Sequence, residues 1–135
     1  MKVETNLNDM LGAVSVPADW VGIREVYESQ TPRMIRDGVP VANGKYSTHG
    51  IMVEVLVDGQ FGYYGTPNIS KEGVDHASMN AYKQAKAASK YSVHSFSDDV
   101  RPKSIGTYKS PFIKHIKDVS AKELNVLLLD AYKHL

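Results

Sequence analysis

Thr48–Thr66 reads THGIMVEVLVDGQFGYYGT, and the fold turns on how this stretch is read. Apolar residues alternate at Ile51, Val53, Val55 and Val57, then Asp58-Gly59 follows, then a second short run from Phe61 to Tyr64. A two-residue Asp-Gly link between alternating apolar runs is the strongest short-range signal for a β-hairpin. In a type I′ turn both link residues take positive φ, which Gly does freely and Asp tolerates. That register sets Leu56 opposite Phe61 and Glu54 opposite Tyr63 on one face. It sets Val55 opposite Gly62 and Val53 opposite Tyr64 on the other. Neither face is plainly polar, so the hairpin is predicted to be covered on both sides.

Working outward, Thr66-Pro67-Asn68 leads into a long helix. Ser70 is the expected N-cap, with Ile69 and Val74 as a hydrophobic staple around it. Val74, Ala77, Ala81, Ala85 and Ala88 form one stripe at helical spacing. Its small side chains let the helix lie close to the sheet, and Gly62 and Gly65 give it room. The helix is predicted to end near Ser89, roughly 30 Å from its start. Glu72, His76, Met79, Lys83, Lys86 and Lys90 fall on its outer face. Upstream, Leu7, Met10, Leu11 and Val14 give a short helix over Asn6 to Val14, which Pro17 stops. Trp20 to Glu28 is a β-branched, aromatic strand. After the Gln30-Thr31-Pro32 turn come a short strand at Arg33–Arg36, an Asp37-Gly38 turn, and a return over Val39 to Tyr46. Pro40 cannot donate to a ladder, so that return is an edge strand or carries a bulge.

Beyond the long helix, Tyr91 to Phe96 reads as one more short strand. Residues 99–119 are polar and broken by Pro102, Gly106 and Pro111, an extended connector. Ser120-Ala121-Lys122-Glu123 is a capping box with Val119 and Leu124 as its staple. The helix it starts carries Leu124, Leu127, Leu128, Ala131 and Leu135 on one face. The fold expected is α+β: a mostly antiparallel sheet of about five strands, one long helix packed on a face, and a C-terminal helix. Residues 1–135 are read as a single domain, with the sheet and long helix at 17–98, the connector at 99–119 and the last helix at 120–135. The chain stops on the apolar Leu135 without a C-cap glycine, which reads as a piece of a longer protein.

A chain of 135 residues can bury roughly two-thirds of its unfolded surface, so a core forms without staples. A formal net charge of +1 gives no electrostatic case for nucleic acid or an anionic membrane. No apolar run approaches the ~20 residues that span a bilayer, and MKVETNLND is too polar for a secretory signal. The chain has no cysteine, which excludes disulfides and thiolate chemistry and makes the cytoplasm the expected setting.

The candidate chemistry is sparse. Five histidines stand at 49, 76, 94, 115 and 134. A zinc peptidase needs two of them one helical turn apart with a carboxylate nearby, and no two have that spacing. Glu72 and His76 are one turn apart, but on the outer face of the long helix, where such pairs are common and contribute little. No Gly-x-Ser-x-Gly elbow places a nucleophile, and Gly59, Gly62 and Gly65 belong to a hairpin rather than a phosphate loop. Lys83, Lys86 and Lys90, with Tyr82, Tyr91 and Tyr108 in the same third of the chain, could meet nucleic acid; the net charge favours a solvated helix face. Met52, Leu56, Phe61 and Tyr63 are more informative. They point away from the alanine-striped helix, so the short helices, another domain or another subunit must cover them, or they form an interaction site. No catalytic, cofactor-binding or metal residue is assigned.

The order of elements resembles a known family. Ala18–Ser29, ADWVGIREVYES, is similar to its Ala-Asp-Tyr-Ala-Asp-Val-Arg strand. GIMVEVLVDGQFGYYGT with Asn68-Ile69-Ser70-Lys71-Glu72 is similar to its Gly-Val-Gly-Val-Arg-Val-Leu-Val-Asp-Gly-Gly-Trp-Gly-Phe-Ala-Ser-Thr strand pair and helix start. Tyr108-Lys109-Ser110-Pro111 and the helix from Ser120 resemble its Tyr-x-Ser-Pro segment and following helix. The family is the TldD/PmbA group, also called modulators of DNA gyrase, and the resemblance covers most of residues 18–135. The resemblance implies a two-domain parent in which TldD-type subunits are zinc peptidases, with a His-Glu-x-x-x-His helix beyond the region covered here. Those subunits pair with a TldE/PmbA-type subunit and trim unfolded peptides. No His-Glu-x-x-x-His occurs in this chain, so no catalytic or metal role transfers to any residue, and zinc is expected only in the second domain of TldD-type subunits. The family's longer opening helix is here reduced to about Asn6–Val14.

The expectation is therefore a non-catalytic N-terminal domain of a TldD/PmbA-like peptidase, shaping a substrate chamber and a subunit interface. Its expected partners are a second domain, a homologous subunit in a homo- or heterodimer, and unfolded peptide, with no nucleic acid and no membrane. The alternative is a stand-alone adaptor that captures extended peptides along a sheet edge, for which the Val39–Tyr46 strand is the candidate.

Overall fold

A computed structural model describes residues 5–135. The fold is α+β, in the element order α1 (Leu7–Leu11), β1 (Trp20–Gln30), β2 (Arg33–Arg36), β3 (Val39–Asn43), β4 (Tyr46–Val57), β5 (Gln60–Thr66), α2 (Lys71–Ser89) and α3 (Ala121–Lys133). The five strands divide between a three-stranded sheet in the order β1-β4-β5 and a two-stranded ribbon, β2-β3. The chain packs as two compact units. One contains the segment ending at Glu28 together with Thr48–Lys103; the other contains Ser29–Ser47 and Ser104–Leu135. No helix among the described residues is long and apolar enough to cross a membrane.

The first unit is built on the hairpin β4–β5. Its register is the one the Asp-Gly link dictates: Leu56 faces Phe61, Glu54 faces Tyr63, Val55 faces Gly62 and Val53 faces Tyr64. Asp58 and Gly59 take φ of +51° and +73°, both in the left-handed region. The apolar alternation then buries Ile51, Val53, Val55 and Val57 against Val74, Ala77, Ala81 and Ala85 of α2. Ser70 caps α2, its hydroxyl accepting from the Gly73 N–H at 3.1 Å. Ser78 is buried as well, and its hydroxyl is satisfied inside the helix by donating to the Asp75 carbonyl at 2.7 Å. The close approach of helix and sheet is set at Gly62. A Cβ built there would overlap the Ala81 carbonyl oxygen and lie 2.8 Å from the Ala81 carbonyl carbon and 3.0 Å from the Ala85 nitrogen.

The buried stripe stops at Ala85; Ala88, expected to share it, is exposed. Lys86 explains why. Its ammonium reaches the Asp58 carboxylate at 2.6 Å, so position 86 is level with the hairpin turn and the last helical turn runs past the sheet. The expected first helix is shorter than its apolar spacing suggested. Asn6 caps it, accepting from Asp9, and Gly12 follows its last residue, while Val14 still packs on the core from outside the helix.

Tyr91–Phe96, expected as a strand, is irregular. One main-chain bond holds it to the hairpin, from the Phe96 N–H to the Gly59 carbonyl at 2.9 Å. Gln60 does the rest: its amide donates to Ser92 Oγ at 2.6 Å and to the His94 carbonyl. Side-chain bonds to the loop thus replace a ladder.

In the second unit, β2 and β3 pair around Asp37-Gly38, both at positive φ. The register slips between Met34 and Ile35, next to the Ile35–Pro40 pair, which is the irregularity that Pro40 requires. Arg33 Nη1 donates to the Pro32 and Gly44 carbonyls and ties the ribbon's open end. Residues 99–119 are irregular apart from 3-10 turns at Asp98–Val100 and Ile116–Asp118. The capping box is complete: Ser120 Oγ accepts from the Glu123 N–H at 3.1 Å and Glu123 Oε2 accepts from the Ser120 N–H at 2.8 Å. α3 packs on β2 through a face of half-buried Leu124, Leu128 and Leu129, not the face containing Leu127, Ala131 and Leu135, which are exposed. A 3.6-residue period allows either stripe in a leucine triplet, and contact with the ribbon selects one.

The Glu123 carboxyl is held below the usual carboxylate range first by the Ser120 main-chain N–H and second by the Ser120 hydroxyl. A depressed pKa contributes stability above the ordinary value, and that contribution is lost as pH falls through the folded-state value. Glu123→Gln is therefore expected to lower the melting temperature at pH 7 and to leave it unchanged at pH 2, where wild type has lost the charge too. Thermal melts at the two pH values, read by circular dichroism, test this; an equal drop at both would contradict the assignment.

Candidate functional site

The histidines are scattered. His49 Nε2 lies 2.7 Å from Glu25 Oε1, and the Tyr27 ring stands edge-on to it at 5.7 Å. Thr5 Oγ1 donates to the same Glu25 oxygen at 3.1 Å. This pairing joins β1 to β4, two strands adjacent in the sheet but separated in sequence by the β2–β3 ribbon, and the spacing of Glu25 and His49 gave no sign of it. His76 meets Tyr64 edge-on at 6.4 Å, and its carbonyl accepts from the Asn80 side-chain amide at 3.0 Å. His94 packs on Phe96 at 4.8 Å. His115 caps the 3-10 turn at Ile116–Asp118, and His134 lies 2.7 Å from the Asp130 carbonyl. Among the described residues no three of His, Cys, Asp and Glu gather where one metal ion could be held. The described residues thus do not fit the donor set that a catalytic zinc needs.

Of the basic stripe, Lys86 is engaged with Asp58, whose carboxylate raises the ammonium's pKa through their hydrogen bond. It also lies 5.8 Å from the Tyr82 ring centroid. Lys83 and Lys90 are exposed, and so are Tyr91 and Tyr108. Tyr82 instead packs against the core of the first unit.

The structure concentrates chemistry on the other face of the hairpin. Leu56 is buried there, and Phe61 is the centre of an aromatic cluster. The Trp20 ring stands edge-on to it at 6.2 Å, while Phe96 at 5.4 Å and Tyr63 at 6.3 Å are tilted against it. The Arg101 guanidinium lies over the Phe61 ring at 5.3 Å, and its Nη2 is 2.9 Å from Glu54 Oε1. That distance makes an ion pair, although the atoms are not aligned as a hydrogen bond. The cover of this face comes from the start of β1 and from the segment after α2. Between these groups lies an open cleft of about 400 Å³, lined by Gln60, Phe61, Tyr63, Phe96, Val100 and Arg101. It offers aromatic walls, one amide and one neutralised guanidinium, which suits an apolar or aromatic side chain and supplies no acid–base pair.

Arg101 sits in a stretch without periodicity and Phe96 at the end of one whose pattern predicts a strand, so nothing local sets either against Phe61. The visible signal was the unexplained apolar face they cover.

Over residues 21–89 the sequence matches the family described as PmbA/TldA metallopeptidase domain 1. The match takes in both sheets and α2, just over half of the 135-residue chain. No curated protein and no solved structure matches. The hairpin, its register and the capped helix all lie inside the matched span, and the chain belongs to the PmbA/TldA metallopeptidase domain 1 family.

Proposed function

We propose that this chain is the non-catalytic first domain of a TldD/PmbA-like peptidase, taking part in the proteolysis or maturation of peptides in the cytoplasm. Its sheet shapes the substrate chamber and the subunit interface. Any zinc chemistry belongs to a second domain. Its partners are that second domain, a homologous subunit and unfolded peptide, with no role for nucleic acid or membrane. The observation that supports this reading is the domain-1 match across the hairpin and α2. The face those elements present is walled by aromatic side chains and has no acid–base pair, which suits holding a chain better than cutting one.

The test uses the 135-residue chain as it stands. Incubated with an unfolded peptide and zinc, it is expected to give no cleavage. Mixed with a purified TldD-type zinc peptidase subunit, it is expected to co-elute in gel filtration. Zinc-dependent turnover by the chain alone would overturn the non-catalytic assignment, and failure to co-elute would overturn the interface.

A further inference from the structure

Among the described residues the outer edge of β5 has no strand beside it, although the Ser92–Phe96 loop is bonded at its first residues. In a two-residue hairpin the residues flanking the turn, here Val57 and Gln60, form a hydrogen-bonded pair. Gly62, Tyr64 and Thr66 therefore turn their main-chain groups toward β4, and Phe61, Tyr63 and Gly65 turn theirs outward. Tyr63 agrees: its N–H leaves the sheet and donates to the Gln84 side chain of α2 at 3.3 Å, a long bond. Among the described residues no main-chain bond reaches the outward groups of Phe61 or Gly65. Natural edge strands are blunted by charge, proline or a bulge. Gln60–Thr66 has no charged residue and no proline, and its pairing with β4 runs without a slip. Tyr63, Tyr64 and Gly65 are exposed.

Both sides of this edge are furnished. On one face lies the aromatic cleft, with Phe61 and Tyr63 of β5 in its wall. On the other, α2 runs alongside the strand with His76, Asn80 and Gln84 at four-residue intervals, His76 against Tyr64 and Gln84 at Tyr63. We infer that the β5 edge binds an extended peptide as a fourth strand of the sheet. The outward groups of Phe61, Tyr63 and Gly65 pair with its backbone, and alternate apolar side chains enter the Phe61–Phe96 cleft.

A second copy of β5 does not suit this edge. The α2 backbone lies directly over Gly62. Antiparallel pairing about a two-fold axis would put both copies of α2 on one face, with strands about 4.8 Å apart, where packed helices need roughly 8–10 Å. A single extended chain brings no helix with it. The inference rests on the proposed function, in which unfolded peptide is a partner, and assigns that peptide a site on this chain alone.

Trp20 is the chain's one tryptophan and stands against Phe61, so its emission reports on the cleft. The probe is a capped seven-residue peptide alternating serine with leucine and phenylalanine. Titrated into the full chain, it is expected to give a saturable change in Trp20 emission. The same peptide N-methylated at alternate residues, on the edge that faces β5, is expected to bind at least tenfold more weakly. Tyr63→Pro removes one outward N–H and leaves the bonds to β4 in place; it is expected to bind at least tenfold more weakly, with an unchanged far-ultraviolet spectrum. Gln84→Ala, which frees the Tyr63 N–H, is expected to bind at least as tightly as wild type. If Tyr63→Pro unfolds, the methylated peptide still tests the wild-type edge. Equal affinity for the two peptides, no saturation by millimolar peptide, or a concentration-dependent dimer that peptide does not dissociate would each overturn the inference. Peptide binding is read without turnover or a partner subunit, so its failure leaves the non-catalytic reading standing.

Discussion

Gly62→Ala is expected to destabilise the first unit by about 3 kcal/mol, the upper end of what over-packing a core costs. The new methyl group would point from β5 into the α2 backbone, against the Ala81 carbonyl and 3.0 Å from the Ala85 nitrogen. Neither neighbour is the end of a flexible side chain, so the helix itself must lift. Lifting it opens the contact of Ala77, Ala81 and Ala85 with Val53 and Val55, which is the core of this unit. Domains of this size are stable by only about 5–15 kcal/mol, and the melting temperature should fall by roughly 10 °C. Gly65→Ala is the control. It makes the same chemical change three residues along the same strand, but its Cβ would meet only the Met52 Cε at 3.8 Å, an ordinary contact. That variant should melt within a few degrees of wild type. If the two glycine variants melt together, the lost backbone freedom matters and the helix–sheet approach does not.

Ile51→Ala is expected to cost about 2–5 kcal/mol, the range for removing a large aliphatic side chain from a core. Ile51 is 1% exposed and lies at the far end of the buried row from the Asp-Gly turn. Its neighbours belong to two packed layers, and the alanine stripe above it has no long side chains to fold into the space. The cost should therefore exceed the transfer term alone, because the cavity persists. Ile113, fully exposed in the second unit, provides the comparison: Ile113→Ala should change stability by less than about 0.5 kcal/mol. Chemical denaturation of both variants decides the matter. A loss below 1 kcal/mol for Ile51→Ala would mean that the core is looser than its burial implies.

Much of this fold was legible because local and long-range signals agree. The alternation from Ile51 to Val57 and the Asp58-Gly59 link fix the register without reference to any other part of the chain. Ser70 and the small residues after it fix where α2 starts and which face it buries. What the sequence could not convey is neighbourhood across gaps. Glu25 and His49 meet because β1 lies beside β4, and nothing in the intervening β2–β3 ribbon announces that skip. Phe96, at the end of a stretch whose pattern predicts a strand, and Arg101, in one with no repeat, both reach Phe61. In α3 the helical period admits Leu127 as readily as Leu129 beside Leu124 and Leu128, and only the ribbon selects Leu129.

The skip from β1 to β4 has an energetic corollary. The ribbon occupies residues 29–47, a closed excursion between two strands of one sheet. Chain-closure entropy grows only with the logarithm of length, so replacing a four-residue connection by one of this size costs about 1.4 kcal/mol. The sheet of the first unit is thus nearly indifferent to what is threaded between its first two strands. Such a site tolerates insertion, deletion and drift, and relatives can differ there while keeping the same hairpin and helix.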